Sequence, residues 1–145
     1  MSKASFEEIL NRDGRLIYSS VGDSMLPMIK QGRDLLVIEK PAGRLERYDI
    51  PLYKRDNGKY VLHRILKVRD KDYVICGDNR YRPEYGITDR HIIGVLTAVI
   101  TDGVEKPLTG RRYGLYVFFW CRLFYVRALI LRACSLMKRM GRKRP

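Results

Sequence analysis

The stretch "YVLHRILKVRDKDYVICGDNR", Tyr60 to Arg80, decides the fold. Two apolar runs rich in Val, Ile, Leu and Tyr flank Asp70-Lys71, a two-residue turn signal, so the segment predicts an antiparallel hairpin. Working outward, Asn57-Gly58 marks a second hairpin, because both residue types tolerate positive φ. Alternating or apolar runs predict strands at Arg15–Val21, Asp34–Glu39, Ile50–Lys54, Lys59–Arg69, Asp72–Gly77 and Ile92–Thr101. Pro51 predicts that its strand lies at a sheet edge. Turns arrive every 8–12 residues, as in a mostly antiparallel β domain. Before it, Ser5 with Glu7 and Glu8 predicts a capped helix over residues 4–12 that stops at Gly14.

The 145 residues fit one domain spanning 1–101, and 46% hydrophobic content supplies a core. "DGVEKPLTG", Asp102–Gly110, reads as a linker. The net charge of +13 is concentrated beyond it: residues 111–145 hold ten Lys or Arg and no Asp or Glu. That tail is also aromatic and apolar, and predicts a helix from Tyr113 to Met140. Arg122, Arg127 and Arg132 fall on three sides of it, and each would cost about 2.5–3.5 kcal/mol near a bilayer centre. Three placements follow: a span, a helix lying on an anionic membrane surface, or a helix packed on the β domain with a solvated basic end. The charge pattern favours the surface helix, and with it a peripheral, cytoplasmic membrane location. No nucleic-acid module precedes the tail, so no nucleic acid is expected as a partner.

Cys76, Cys121 and Cys134 are far apart and form no C-x-x-C, which argues for packed thiols in a reducing compartment and against a thiolate metal site. No metal or other cofactor is expected. The N-terminus, "MSKASFEEIL", is too polar for a secretory signal or an anchor helix.

Three positions could carry chemistry. Ser24 sits in "VGDSMLP", after a flexible Gly22 and before Pro27; it is either a turn residue or a nucleophile, and a nucleophile needs a base and oxyanion donors. His63 shares a strand face with Val61 and Ile65, so it is either a packed imidazole or a general base. Asp78, in "CGDNR", is either a turn residue or a carboxylate that orients His63. His91 opens an apolar strand and reads as structural or exposed. Phe118, Phe119, Trp120 and Tyr125 read as interface or packing residues rather than a base-stacking platform.

In order and spacing, "GDSMLPMIKQGRDLLVIEK", "RYDIPLYKR", "YVLHRILKV", "YVICGDNR" and "HIIGVLTAV" together resemble the type I signal peptidase superfamily over Ile17 to Val99. The resemblance is to the endoplasmic-reticulum and archaeal kind, in which a histidine is the base. It implies a mainly β, coiled antiparallel domain with a groove for an extended peptide. It also implies a serine endopeptidase acting on a leader or signal-like peptide with small side chains near the scissile bond. By the same resemblance Ser24 is the nucleophile, His63 the base and Asp78 the supporting acid, with Glu84 and Asp89 as weaker acidic candidates. Gly22, Asp23 and Met25 flank the nucleophile at the substrate and oxyanion positions. The sequence departs from the family at Gly22, where a second hydroxyl often stands, at the inserted Arg of Gly32-Arg33-Asp34, and at Tyr48-Asp49-Ile50-Pro51. It also begins without a membrane helix before the serine box. A non-catalytic peptide-binding module and a self-cleaving regulator therefore remain as alternatives.

Overall fold

A computed structural model of the chain describes residues 4–19 and 21–142. Ser20 of the expected first strand, residues 1–3 of the expected domain and residues 143–145 of the tail lie outside the described residues.

Helix α1 spans Phe6–Asp13 and opens with a capping box: Ser5 Oγ accepts from Glu8 N–H at 3.2 Å, and Glu8 accepts from Ser5 N–H at 2.8 Å. Gly14, at φ 70°, closes it with an N–H to the Leu10 carbonyl, a left-handed cap that favours glycine. Among the described residues nine strands follow in two antiparallel sheets: β1 Arg15–Ser19, β2 Asp34–Glu39, β3 Pro51–Lys54, β4 Tyr60–Leu62, β5 Arg64–Val68, β6 Tyr73–Cys76, β7 Glu84–Ile87, β8 Ile92–Thr101 and β9 Val104–Pro107. The larger sheet runs β1-β2-β8-β3-β4, with β9 pairing the far half of β8, and the smaller runs β5-β6-β7.

The larger sheet curls into a half-barrel. Its two edges, β1 and β4, approach each other around one ring of α1: Phe6 lies 4.9 Å from Tyr18 and 4.7 Å from Tyr60, centroid to centroid. Leu10, Leu16, Leu36, Ile38, Leu52 and Leu96 fill the concave side. A second core of Leu45, Tyr53, Ile65, Tyr73, Ile75 and Ile87 joins the two sheets. Alternate residues of β3, Leu52 and Tyr53, enter the two cores in turn, as the two-residue period of a strand requires.

Four expectations are corrected. Pro51 is not on an edge strand, since β3 lies between β8 and β4; its missing N–H is tolerated because β4 pairs only from Leu52 onward. The run Lys59–Arg69 is two strands, because His63 leaves the ladder and the chain passes there from one sheet to the other. Asp102–Gly110 is not a plain linker: Asp102 (φ 52°) and Gly103 (φ 76°) form a tight turn, and β9 returns along β8. The tail is not one helix. Helix α2 (Gly110–Tyr116) passes through a π-helical turn, Val117–Arg122, to a break at Leu123, and α3 (Phe124–Gly141) leaves at 69°.

Candidate active site

Ser24 lies in the turn between β1 and β2. Gly22, at φ 104°, adopts a conformation that a side chain would resist, and its N–H is held by Gln31 Oε1 at 2.8 Å. Behind the serine, Met25 and Ile29 are buried in the concave core, so the loop is pinned from below. From the other side the Gly77–Arg80 turn grips it. Asn79 N–H donates to the Ser24 carbonyl at 2.8 Å, Asn79 Nδ2 reaches the Asp23 carbonyl at 3.1 Å, and Arg80 pairs with the Asp23 carboxylate at 2.6 Å. That arginine holds Asp23 below the usual carboxylate range. Asp23 is thus a clasp of the loop and Met25 its anchor.

Gly77 explains why a glycine precedes Asp78. A Cβ built there would stand 2.6 Å from the Ser24 carbonyl oxygen and 3.1 Å from His63 Cδ2. The serine loop and the imidazole therefore close on the same point from two sides. Ser24 and His63 line one open groove of about 700 Å³, together with Tyr18, Gly22, Leu62 and Arg80. No hydrogen bond joins Ser24 Oγ to His63, and among the described residues neither Ser24 Oγ nor His63 Nε2 has a hydrogen-bond partner in the protein. The Ser24 N–H likewise donates to no described residue, leaving it available to an oxyanion.

The imidazole is backed from behind. Tyr53 Oη lies 3.3 Å from His63 Nδ1 and donates its own proton to Glu84 at 2.7 Å. A hydroxyl has one proton, so the remaining contact assigns the Nδ1–H tautomer to His63 and leaves the Nε2 lone pair free. Arg55 completes the chain with two hydrogen bonds to Glu84, at 2.8 and 2.6 Å. Burial works to raise the Glu84 pKa, but the bonds from Arg55 and Tyr53 outweigh it and keep the carboxylate charged. His63 itself is lowered to about 4, chiefly by burial, so it is neutral at ordinary pH.

Asp78, expected to orient His63, makes no hydrogen bond with it among the described residues. Its carboxylate takes Arg64 Nε and Nη2 at 2.9 and 2.8 Å, both side chains being fully buried, and accepts from Tyr116 at 2.8 Å. Trp120 Nε1 donates to its backbone carbonyl at 2.9 Å. Asp78 is a docking point for the C-terminal helices, and the carboxylate joined to His63 by hydrogen bonds, through Tyr53, is that of Glu84. Tyr53 and Arg55 escaped the sequence reading. The signal available was the position of β3, whose turn at Asn57-Gly58 places it antiparallel to the strand before His63. Asp89 bonds Tyr73, away from the groove. His91 is buried between Thr88 and Asp56. Cys76 is a packed thiol pushed up to about 11 by burial.

A second cleft, about 550 Å³, is lined by Glu7, Lys54, Arg90 and His91 among others, but, among the described residues, by no serine, threonine or cysteine. Among the described residues no group of His, Cys, Asp and Glu could hold a metal ion. No protein-family model, curated protein or solved structure matches the chain.

Proposed function

We propose that the chain is a serine endopeptidase of the signal peptidase type, in which Ser24 attacks a peptide carbonyl and His63 takes its proton. The observation that carries this reading is that Ser24 and a neutral imidazole, His63, line one open groove, with the Ser24 backbone carbonyl and His63 Cδ2 both close against Gly77. The groove also suits an extended peptide. It lies between two unpaired sheet edges, β1 leading toward Ser24 and β4 ending at His63, and a peptide can add to either edge by main-chain hydrogen bonds. Leader or signal-like peptides with small residues at the cleaved bond remain the substrates suggested by the resemblance.

In this reading a peptide carbonyl enters above Ser24 and Oγ turns toward Nε2, a contact that substrate often tightens. Oγ adds to the carbonyl carbon, its proton passes to Nε2, and the imidazolium is stabilised through Nδ1–H by Tyr53 and charged Glu84. The Ser24 N–H donates to the oxyanion. Nε2 then protonates the leaving amine; water, deprotonated by the same nitrogen, releases the acid and restores Ser24.

Ser24→Ala and His63→Ala are each expected to lower peptide cleavage by at least about 10²-fold, with unchanged circular dichroism. Full activity in either variant overturns the assignment. The missing Ser24–His63 hydrogen bond favours one second reading, a peptide-binding module without catalysis. A serine-directed phosphonate separates the two: labelling at Ser24 supports the enzyme, and peptide binding without labelling supports the module.

A further inference from the structure

Helix α3 carries a face that nothing among the described residues covers. Placed at about 100° per residue, Tyr125, Leu129, Ile130, Leu136, Met137 and Met140 fall within one arc of about 140°, and each is between 51% and 83% exposed. The opposite side looks inward. There Arg127 is buried, reaching the carbonyls of Trp120 and Arg80 at 3.4 and 3.3 Å. Arg132 and Arg139 flank the apolar arc, and Lys138 and Arg142 lie farther round. Phe118 and Phe119, before the break, are also exposed.

We propose that α3 lies flat in the headgroup region of an anionic bilayer, with the apolar arc inserted among the acyl chains and Arg132 and Arg139 at the phosphates. Charge decides the occupant. From residue 111 onward the sequence has ten basic and no acidic residues, so its field is complementary to anionic lipid. A second copy packed on the same arc would set Arg132 and Arg139 against like charges with no acid on the helix to pair them. A span is disfavoured because no single helix among the described residues is long and apolar enough to cross a membrane. The bent pair that reaches the length has Tyr113, Tyr116, Trp120 and Arg127 committed to the β domain. An amphipathic helix of this kind buries its apolar side while long basic side chains reach up to the phosphates.

The docking is specific in consequence. The π-helical turn and α2 are tied to Asp78 and Arg64, one turn from the Ser24 loop, so a lipid-bound α3 holds the groove beside the membrane surface.

The test is flotation of the full chain with vesicles of phosphatidylcholine alone and of phosphatidylcholine with phosphatidylglycerol. Binding is expected only with the anionic vesicles, and to weaken in high salt. R132E/R139E should lower partitioning by more than about tenfold, since each basic residue at such a surface contributes roughly a fivefold gain. L129D/M137D should abolish it. In Tyr125→Trp, brominated acyl chains are expected to quench the new fluorescence, a readout independent of any loss of folding in the charged variants. Equal flotation with neutral vesicles, undiminished flotation of L129D/M137D, absence of quenching, or a dimer that protects the arc overturns the proposal. None of these readouts needs peptidase activity, so they stand or fall apart from the reading of Ser24 and His63.

Discussion

His63 carries the first prediction, because its environment sets a sign as well as a site. Burial disfavours the imidazolium, and the nearby charges of Glu84 and Asp78 only partly offset that, so the folded pKa lies near 4 against about 6.5 for a free side chain. In the proposed mechanism His63 therefore stays competent as the base in mildly acidic solution. The acid limb of kcat/KM is expected near pH 4, below the range of an unperturbed histidine, and a limb at pH 6.5 or above would contradict the buried, neutral imidazole. The same depression costs stability in acid. Above pH 6.5 neither state binds the proton; as the pH falls from there toward 4 the unfolded chain gains it and the folded chain does not, a loss of about 3 kcal/mol when complete. Gly77 gives a second test at this scale. Gly77→Ala would drive a methyl against the Ser24 backbone oxygen, at 2.6 Å from the ideal position, so the serine loop must move. A shift of an ångström can cost on the order of 10²-fold in rate, so the variant should stay folded and lose kcat. Tyr53→Phe removes the acceptor that fixes the tautomer, and kcat is expected to fall by at least about tenfold with KM little changed, as for a positioning residue. These contacts divide what could be read from the sequence. Ser24 and His63 were visible as residue types in a recognisable order. The carboxylate that bonds toward His63 was not, because Asp78 and Glu84 both lie near the end of a strand, and only the fold decides which one the buried Arg64 claims.

Among the elements, those set by local chemistry were legible and those set by distant partners were not. The capping box of α1, the turn at Asn57-Gly58 and the long runs of β2 and β8 follow from side chains a few residues apart. Strand β9 carried its own signal in Asp102-Gly103, masked by a polar composition that suits a fully exposed edge strand. Strand β7 has no apolar run and exists because β6 offers it an edge. The break at His63 is likewise a tertiary effect, since "YVLHRILKV" reads as one uninterrupted strand; its two halves separate because β4 belongs with β3 and β5 with β6. The exchange of sheets at that residue is what swings the imidazole into the groove. Inserting one residue before His63, which would reverse the faces of Val61 and Leu62, should therefore abolish activity and expose core, detectable as increased binding of a hydrophobic dye.

At the scale of the whole molecule, a buried ion pair of the β domain, with Arg127 of α3 3.9 Å from its carboxylate, anchors the C-terminal helices. Arg64 comes from β5 and Asp78 from the turn after β6, and both are fully buried. Neither is satisfied by the other alone: Tyr113 takes Arg64 at 2.8 Å, Tyr116 takes Asp78, and Trp120 takes the Asp78 carbonyl. Buried ions of this kind contribute little net stability as a pair, but removing one strands the other in a low dielectric. Asp78→Ala is therefore expected to destabilise the protein by about 3–5 kcal/mol, while R64M/D78L, which removes the pair and leaves buried Arg127 with the Trp120 and Arg80 carbonyls, should recover part of that loss. If Asp78 instead served His63, the double variant would stay as inactive as Asp78→Ala however stable it became. If it serves docking, activity should return with folding. Chemical denaturation and peptide cleavage, measured on the same three proteins, distinguish these outcomes, because only a structural role makes the two quantities move together.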